Sequence, residues 1–144
     1  METAAHVLAV TNLVLKYAEL VDTGDFAGVG ELMADAVFIG SGPPAEGREA
    51  VETMLRNTVL LYEDGTPRTH HVTTNIAVEV DEEAGTATAG SYVTVFQALP
   101  ELPLQPVAAG RYRDRFAHRE GRWRFVERRV RIHLTGDVSR HLRV

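Results

Sequence analysis

The sequence predicts an α+β domain, with helices first and a long antiparallel sheet after them. Up to about Tyr62, apolar residues recur at helical spacing in three stretches. From Thr69 onward, four long runs rich in Val, Thr, Tyr and Phe read as strands. Short polar links, Asp81 to Gly85 and Arg119 to Gly121, separate two pairs of these runs, as antiparallel hairpins require. Helices followed by a meander imply an α+β layering in which the sheet must cover the helices' apolar faces.

The first helix is expected from about Ala4 to Val21, where Val10, Leu13, Val14, Tyr17, Ala18 and Val21 form one stripe. Thr23-Gly24-Asp25 stops it, because glycine accepts the left-handed conformation beyond a helix end. Asp25 has the character of an N-cap for a second, shorter helix with Phe26, Val29, Leu32 and Met33 inward. A short strand follows over Asp35 to Gly40, and Ser41 to Pro44 is a loop by composition. The third helix is expected from about Gly47 to Tyr62, ended by Asp64 to Pro67. The strands are expected at Thr69 to Asp81, Thr86 to Ala98, Val107 to Arg119, and Arg122 to about Leu134, with proline-rich Pro100 to Pro106 as a longer loop.

The 144 residues suit one domain, 1–144. At that size folding buries roughly 70% of the surface of the unfolded chain, enough for a core and a lined cavity. The formal net charge of -5 disfavours phosphate backbones, so no nucleic-acid partner is expected. With no cysteine, disulfides, thiolate catalysis and cysteine-ligated metals are excluded. There is no glycine-rich phosphate loop and no histidine pair at helical spacing, so no cofactor and no metal are expected. The opening METAAHVLAV lacks the basic region of a signal peptide. No stretch reads as the ~20 apolar residues of a membrane span, so the expectation is a cytoplasmic protein without a membrane partner.

The segments YAELVDTGDF, ELMADAVF, THHVTTNIAVEV, ATAGSYVTV, AAGRYRDRF and GRWRFVERRV, in that order, resemble the NTF2-like superfamily and its SnoaL-like branch. The resemblance implies a cone: three N-terminal helices packed in the concave face of a curved, mostly antiparallel sheet, around an apolar pocket. Relatives include polyketide cyclases, scytalone dehydratase, bile-acid dehydratases, ketosteroid isomerase, dioxygenase small subunits and non-catalytic binding domains. One fold thus hosts many chemistries.

Three residues are candidates for catalysis. Tyr17 lies on the apolar stripe, where a phenol can donate a hydrogen bond to a carbonyl or enolate. The dehydratase relatives use a first-helix tyrosine that Tyr17 matches. Asp22 matches their acidic residue, as a carboxylate that orients a histidine, or else belongs to the helix-ending turn. An intact helix turns it about 140° from Tyr17, so unwinding near Val21 is expected if both face one cavity. His70 and His71 are adjacent in a strand and cannot both point inward. The resemblance selects His71, just before V-T-T-N, with Thr73 and Asn75 on its face. Phe38, Leu55, Val59, Tyr112, Asp114 and Arg128 complete the expected binding residues. Asp114 serves either as a pocket acid or as an ion-pair partner for nearby arginines. Arg128 either binds an anionic oxygen or sits on a solvated sheet face.

Some family features are missing. Ile39-Gly40 stands where ketosteroid isomerase carries its aspartate. Ser91 to Thr94 stands where the bile-acid dehydratases carry a second aspartate. No aspartate–arginine–aspartate set like that of limonene epoxide hydrolase is evident. The reading is therefore a cofactor-free dehydratase, isomerase or cyclase acting on a small apolar oxygenated ring compound, the partner being that organic ligand. Its alternatives are a non-catalytic ligand-binding domain and an oligomeric, oxygenase-associated assembly subunit. Trp123 and Phe125 on one face of the last strand, with Val126, Val130 and Ile132 on the other, further suggest a homo-oligomer, dimer before trimer.

Overall fold

The computed structural model describes residues 2–143. Helix α1 spans Thr3–Asp22, α2 Phe26–Leu32 and α3 Gly47–Thr58. The strands are β1 Val37–Ile39, β2 Ala45–Glu46, β3 Thr69–Asp81, β4 Thr86–Leu99, β5 Leu102–Arg119 and β6 Arg122–Thr135. They form one sheet in the order β2-β1-β6-β5-β4-β3. All neighbours are antiparallel except β1 and β6, which run parallel with Phe38 beside Arg128. This is the expected α+β cone.

The sheet covers the apolar stripe of α1. Val10, Val14, Tyr17 and Val21 are buried, as are Phe26 and Val29 of α2 and Val51 and Leu55 of α3. The Asp25 side chain caps α2 by accepting from the Gly28 amide at 2.8 Å. By length and composition α1 could also cross a membrane, which reading along the chain did not anticipate. In this fold its apolar stripe belongs instead to the core.

Four local expectations are corrected. First, α3 ends at Thr58 rather than Tyr62. Val59 turns extended and bridges Leu142, so a C-terminal segment takes up the backbone groups that a longer helix would have used. Second, Pro100 to Pro106 is mostly strand. β4 and β5 join across a tight turn, with Leu99 opposite Leu102. β6 accompanies β5 only as far as Ala108, so Pro103 sits where β5 has a free edge and needs no ladder N–H. Third, β3 carries a bulge between Thr74 and Ala77, with Asn75 at φ 53°. Fourth, the β5–β6 register shifts so that Phe116 faces Phe125 while Arg115 faces Glu127. This puts Val130 against the core, with Ile132, opposite Gly110, on the same face rather than on the outer one.

Where α2 meets α3, Gly30 is buried, and a Cβ there would lie 2.6 Å from the Arg48 carbonyl oxygen. A backbone atom cannot rotate away. Gly30→Ala is therefore expected to lower stability by about 1–3 kcal/mol, read as a reduced urea midpoint at unchanged slope.

Candidate active site

The concave face can be traced from pairing. Directly opposed residues share a face, and alternation extends the set. His71 faces Val95, Thr73 faces Val93, Ser91 faces Tyr112, and Asp114 faces Arg128. Two groups of polar side chains stand on this face.

The first group joins the end of α1 to β3. The helix runs through Asp22 without unwinding, contrary to the geometric expectation. Asp22 needs no shared face with Tyr17, because β3 passes across the helix end and meets it. One Asp22 oxygen accepts from the His71 ring Nδ1–H at 2.6 Å and from the Thr69 hydroxyl at 2.8 Å. The other accepts from the His71 amide at 2.7 Å. Burial raises the carboxyl pKa, but the His71 ring and amide and the Thr69 hydroxyl outweigh it and hold Asp22 below the usual range. The His71 side chain is 8% exposed. His70 is exposed on the opposite face.

The second group lies deeper. Arg128 is fully buried and grips Asp114 with two hydrogen bonds, 2.8 and 2.9 Å. Asp114 is thus the ion-pair partner, and Arg128 is not on a solvated face. The guanidinium lies 3.8 Å from the Tyr112 ring centre and 4.6 Å from that of Tyr17. Tyr17 stacks on Phe38 at 6.0 Å and meets Tyr112 edge-on at 5.9 Å. Burial pushes the Tyr17 phenol up to about 12, only partly countered by Arg128. Burial raises Tyr112 further still. Both phenols therefore remain protonated donors at neutral pH. Burial acts against the Arg128 charge, yet Asp114 more than restores it, and its pKa is raised.

The remaining expected residues divide. Leu55 and Val59 are core residues. Thr73 is half-buried, and its hydroxyl lacks a hydrogen-bond partner among the described residues. Asn75 departs from the expectation: the bulge interrupts alternation, and its side chain is exposed rather than beside His71 and Thr73. Tyr17 makes no hydrogen bond to Asp22 or His71, so of the three catalytic candidates only the last two converge directly. Two clefts, about 580 and 310 Å³, are lined by other residues, such as Asp35, Glu49, Lys16 and Arg124.

One residue escaped sequence reading. His141 is buried with its ring edge-on to His71 at 6.2 Å. It lies in DVSRHLRV, which has neither helical nor strand periodicity to place it. Burial, reinforced by the neighbouring His71, depresses its pKa to about 4, and Asp22 opposes this only in part.

Residues 2–129 match the SnoaL-like domain family. The chain belongs to that family. No curated protein matches it significantly. Among solved structures, a protein of unknown function from Mycobacterium tuberculosis is 26% identical with a TM-score of 0.72, the match covering 89% of this chain and 72% of that one. A candidate scytalone dehydratase from Novosphingobium aromaticivorans is 23% identical, TM-score 0.74, covering 93% and 88%. A candidate aromatic-ring hydroxylase from the same organism is 24% identical, TM-score 0.75, covering 97% and 99%. The last two share the fold.

The depressed His141 pKa makes stability depend on pH. An unfolded imidazole binds a proton near pH 6.5, the folded one near pH 4. Between these values the unfolded chain binds more protons, so stability is full above pH 6.5 and falls as pH drops towards 4. The contribution is at most about 3 kcal/mol. His141→Phe is expected to flatten the urea midpoint between pH 7 and 4.5 relative to wild type.

Proposed function

We propose that the protein is a cofactor-free acid–base enzyme, a dehydratase, isomerase or cyclase, acting on a small, largely apolar oxygenated ring compound. The observation that carries this reading is the Asp22–His71 pair. A carboxylate accepts and cannot donate, so the proton between them sits on Nδ1. That leaves the Nε2 lone pair free to act as a base. Nε2 takes a proton from a carbon α to the substrate carbonyl, and the C–H electron pair becomes the enolate. Asp22 stabilises the imidazolium so formed. The imidazolium then returns its proton either to carbon, which completes an isomerisation, or to a β-hydroxyl, which leaves as water and gives the enone. In a cyclase the enolate carbon would instead attack a second carbonyl of the same molecule. Tyr17 and Tyr112, protonated beside Arg128, supply donors for the developing oxyanion.

A second reading is favoured by the missing bond between Tyr17 and the Asp22–His71 pair: a binding domain that holds such a ligand without turnover. Self-association is also inferred. Tyr92 and Leu134 are exposed on the outer face and Ile132 is exposed nearby, which fits a sheet-to-sheet dimer, checked by sedimentation at micromolar concentration.

The test uses 2-tetralone, a bicyclic ketone with acidic α-protons, in D₂O, with exchange followed by proton NMR. Wild type is expected to accelerate exchange over buffer. His71→Asn should lose about a hundredfold or more, with His70→Asn near wild type. Binding of the ketone without acceleration would establish the binding-domain reading instead.

A further inference from the structure

The strongest unassigned feature is the C-terminal segment. It lies beyond residue 129, where the family match ends. It is nonetheless built into the fold at several points. The His141 carbonyl accepts from the Leu60 amide at 2.9 Å, and the Arg143 amide donates to the Thr58 carbonyl at 2.8 Å. The carbonyl of Arg140 accepts from the Gln97 side chain at 2.9 Å and from the Tyr62 hydroxyl. Val138 and Leu142 pack on the core. The backbone on both sides of His141 is thereby fixed, and its ring is held edge-on to His71 at 6.2 Å.

We propose that the segment Asp137 to Arg143 is a wall of the active site, and that His141 is a second catalytic imidazole which hydrogen-bonds a substrate oxygen beside His71. The inference rests on the acid–base reading above. Two observations carry it. The Nδ1 of His141 is buried and has no hydrogen-bond partner among the described residues. A buried polar atom left in that state destabilises the fold, and an apolar ring would fill the place at lower cost. A bound oxygen would satisfy it. The second observation is the contrast between neighbours. The Nδ1 of His71 is engaged by the Asp22 carboxylate, while the Nδ1 of His141 has no partner among the described residues and burial keeps that ring neutral. Two imidazoles held so differently divide the work. His71 moves the proton. His141, with one N–H and one lone pair, holds a hydroxyl or carbonyl in place without exchanging charge. The implied substrate carries a carbonyl oxygen that reaches the His141 ring while its α-carbon lies beside the Nε2 of His71.

The test combines variants with a direct view of the rings. His141→Phe keeps an aromatic edge against His71 but removes the hydrogen bond. His141→Gln keeps a donor and an acceptor. Exchange of the 2-tetralone α-protons is expected to fall tenfold or more in His141→Phe and to stay within a few-fold of wild type in His141→Gln. In ¹⁵N-labelled wild type, saturating 2-tetralone should move the ring resonances of both His71 and His141. A merely structural His141 predicts the reverse: Phe active, Gln no better, and the His141 ring signals unmoved while those of His71 shift. That result overturns this proposal and leaves the acid–base reading standing. Full exchange in His71→Asn overturns the acid–base reading, and this proposal with it.

Discussion

One carboxylate fastens the principal helix to an edge strand and, by the same contacts, orients the imidazole beside it. Asp22 closes α1 and takes three hydrogen bonds from Thr69 and His71 at the start of β3. β3 is the outermost strand on its side of the sheet, with no further strand to hold it. The tie to α1 therefore helps to hold that edge of the sheet against the helix. Structure and chemistry share these bonds. A change that frees the imidazole also loosens the edge of the cone.

The Arg128–Asp114 pair is the complementary constraint. Burying two charges is costly, and their mutual attraction offsets the cost only when geometry and hydrogen bonding are good. Here the contact is bidentate, and the faces of Tyr17, Tyr112 and Phe125 surround the guanidinium. A planar, weakly hydrated cation suits this position better than an ammonium would. Because Asp114 balances the charge, the inner end of the cone is close to neutral and rich in donors. Such an environment favours a carbonyl or a delocalised oxyanion over a full carboxylate.

Much of this was legible in the chain. The stripe through Val10, Val14, Tyr17 and Val21 places α1 because one face must be buried. Adjacency in a strand allows only one of His70 and His71 inside. What escaped are features that periodicity cannot encode. The bulge at Asn75 and the shifted register near Phe125 break alternation by one residue, which moved Asn75 out and Val130 in. The prolines of β5 read as a loop because sequence does not say where β6 stops. The unwinding expected near Val21 came from treating the helix as the whole context, when the partner of Asp22 arrives from β3. His141 belongs to a segment held by backbone pairing and by Gln97 and Tyr62, so no pattern of its own announces it.

The central claim is that Asp22 fixes the tautomer of His71 and so frees Nε2 as a base. Long-range ¹H–¹⁵N correlation spectra of the histidine rings address it directly, without any ligand. The account predicts that neutral His71 is protonated at Nδ1 with a bare Nε2, and that Asp22→Asn shifts this preference. A wild-type His71 carrying its proton on Nε2, or a tautomer indifferent to Asp22→Asn, would contradict the account.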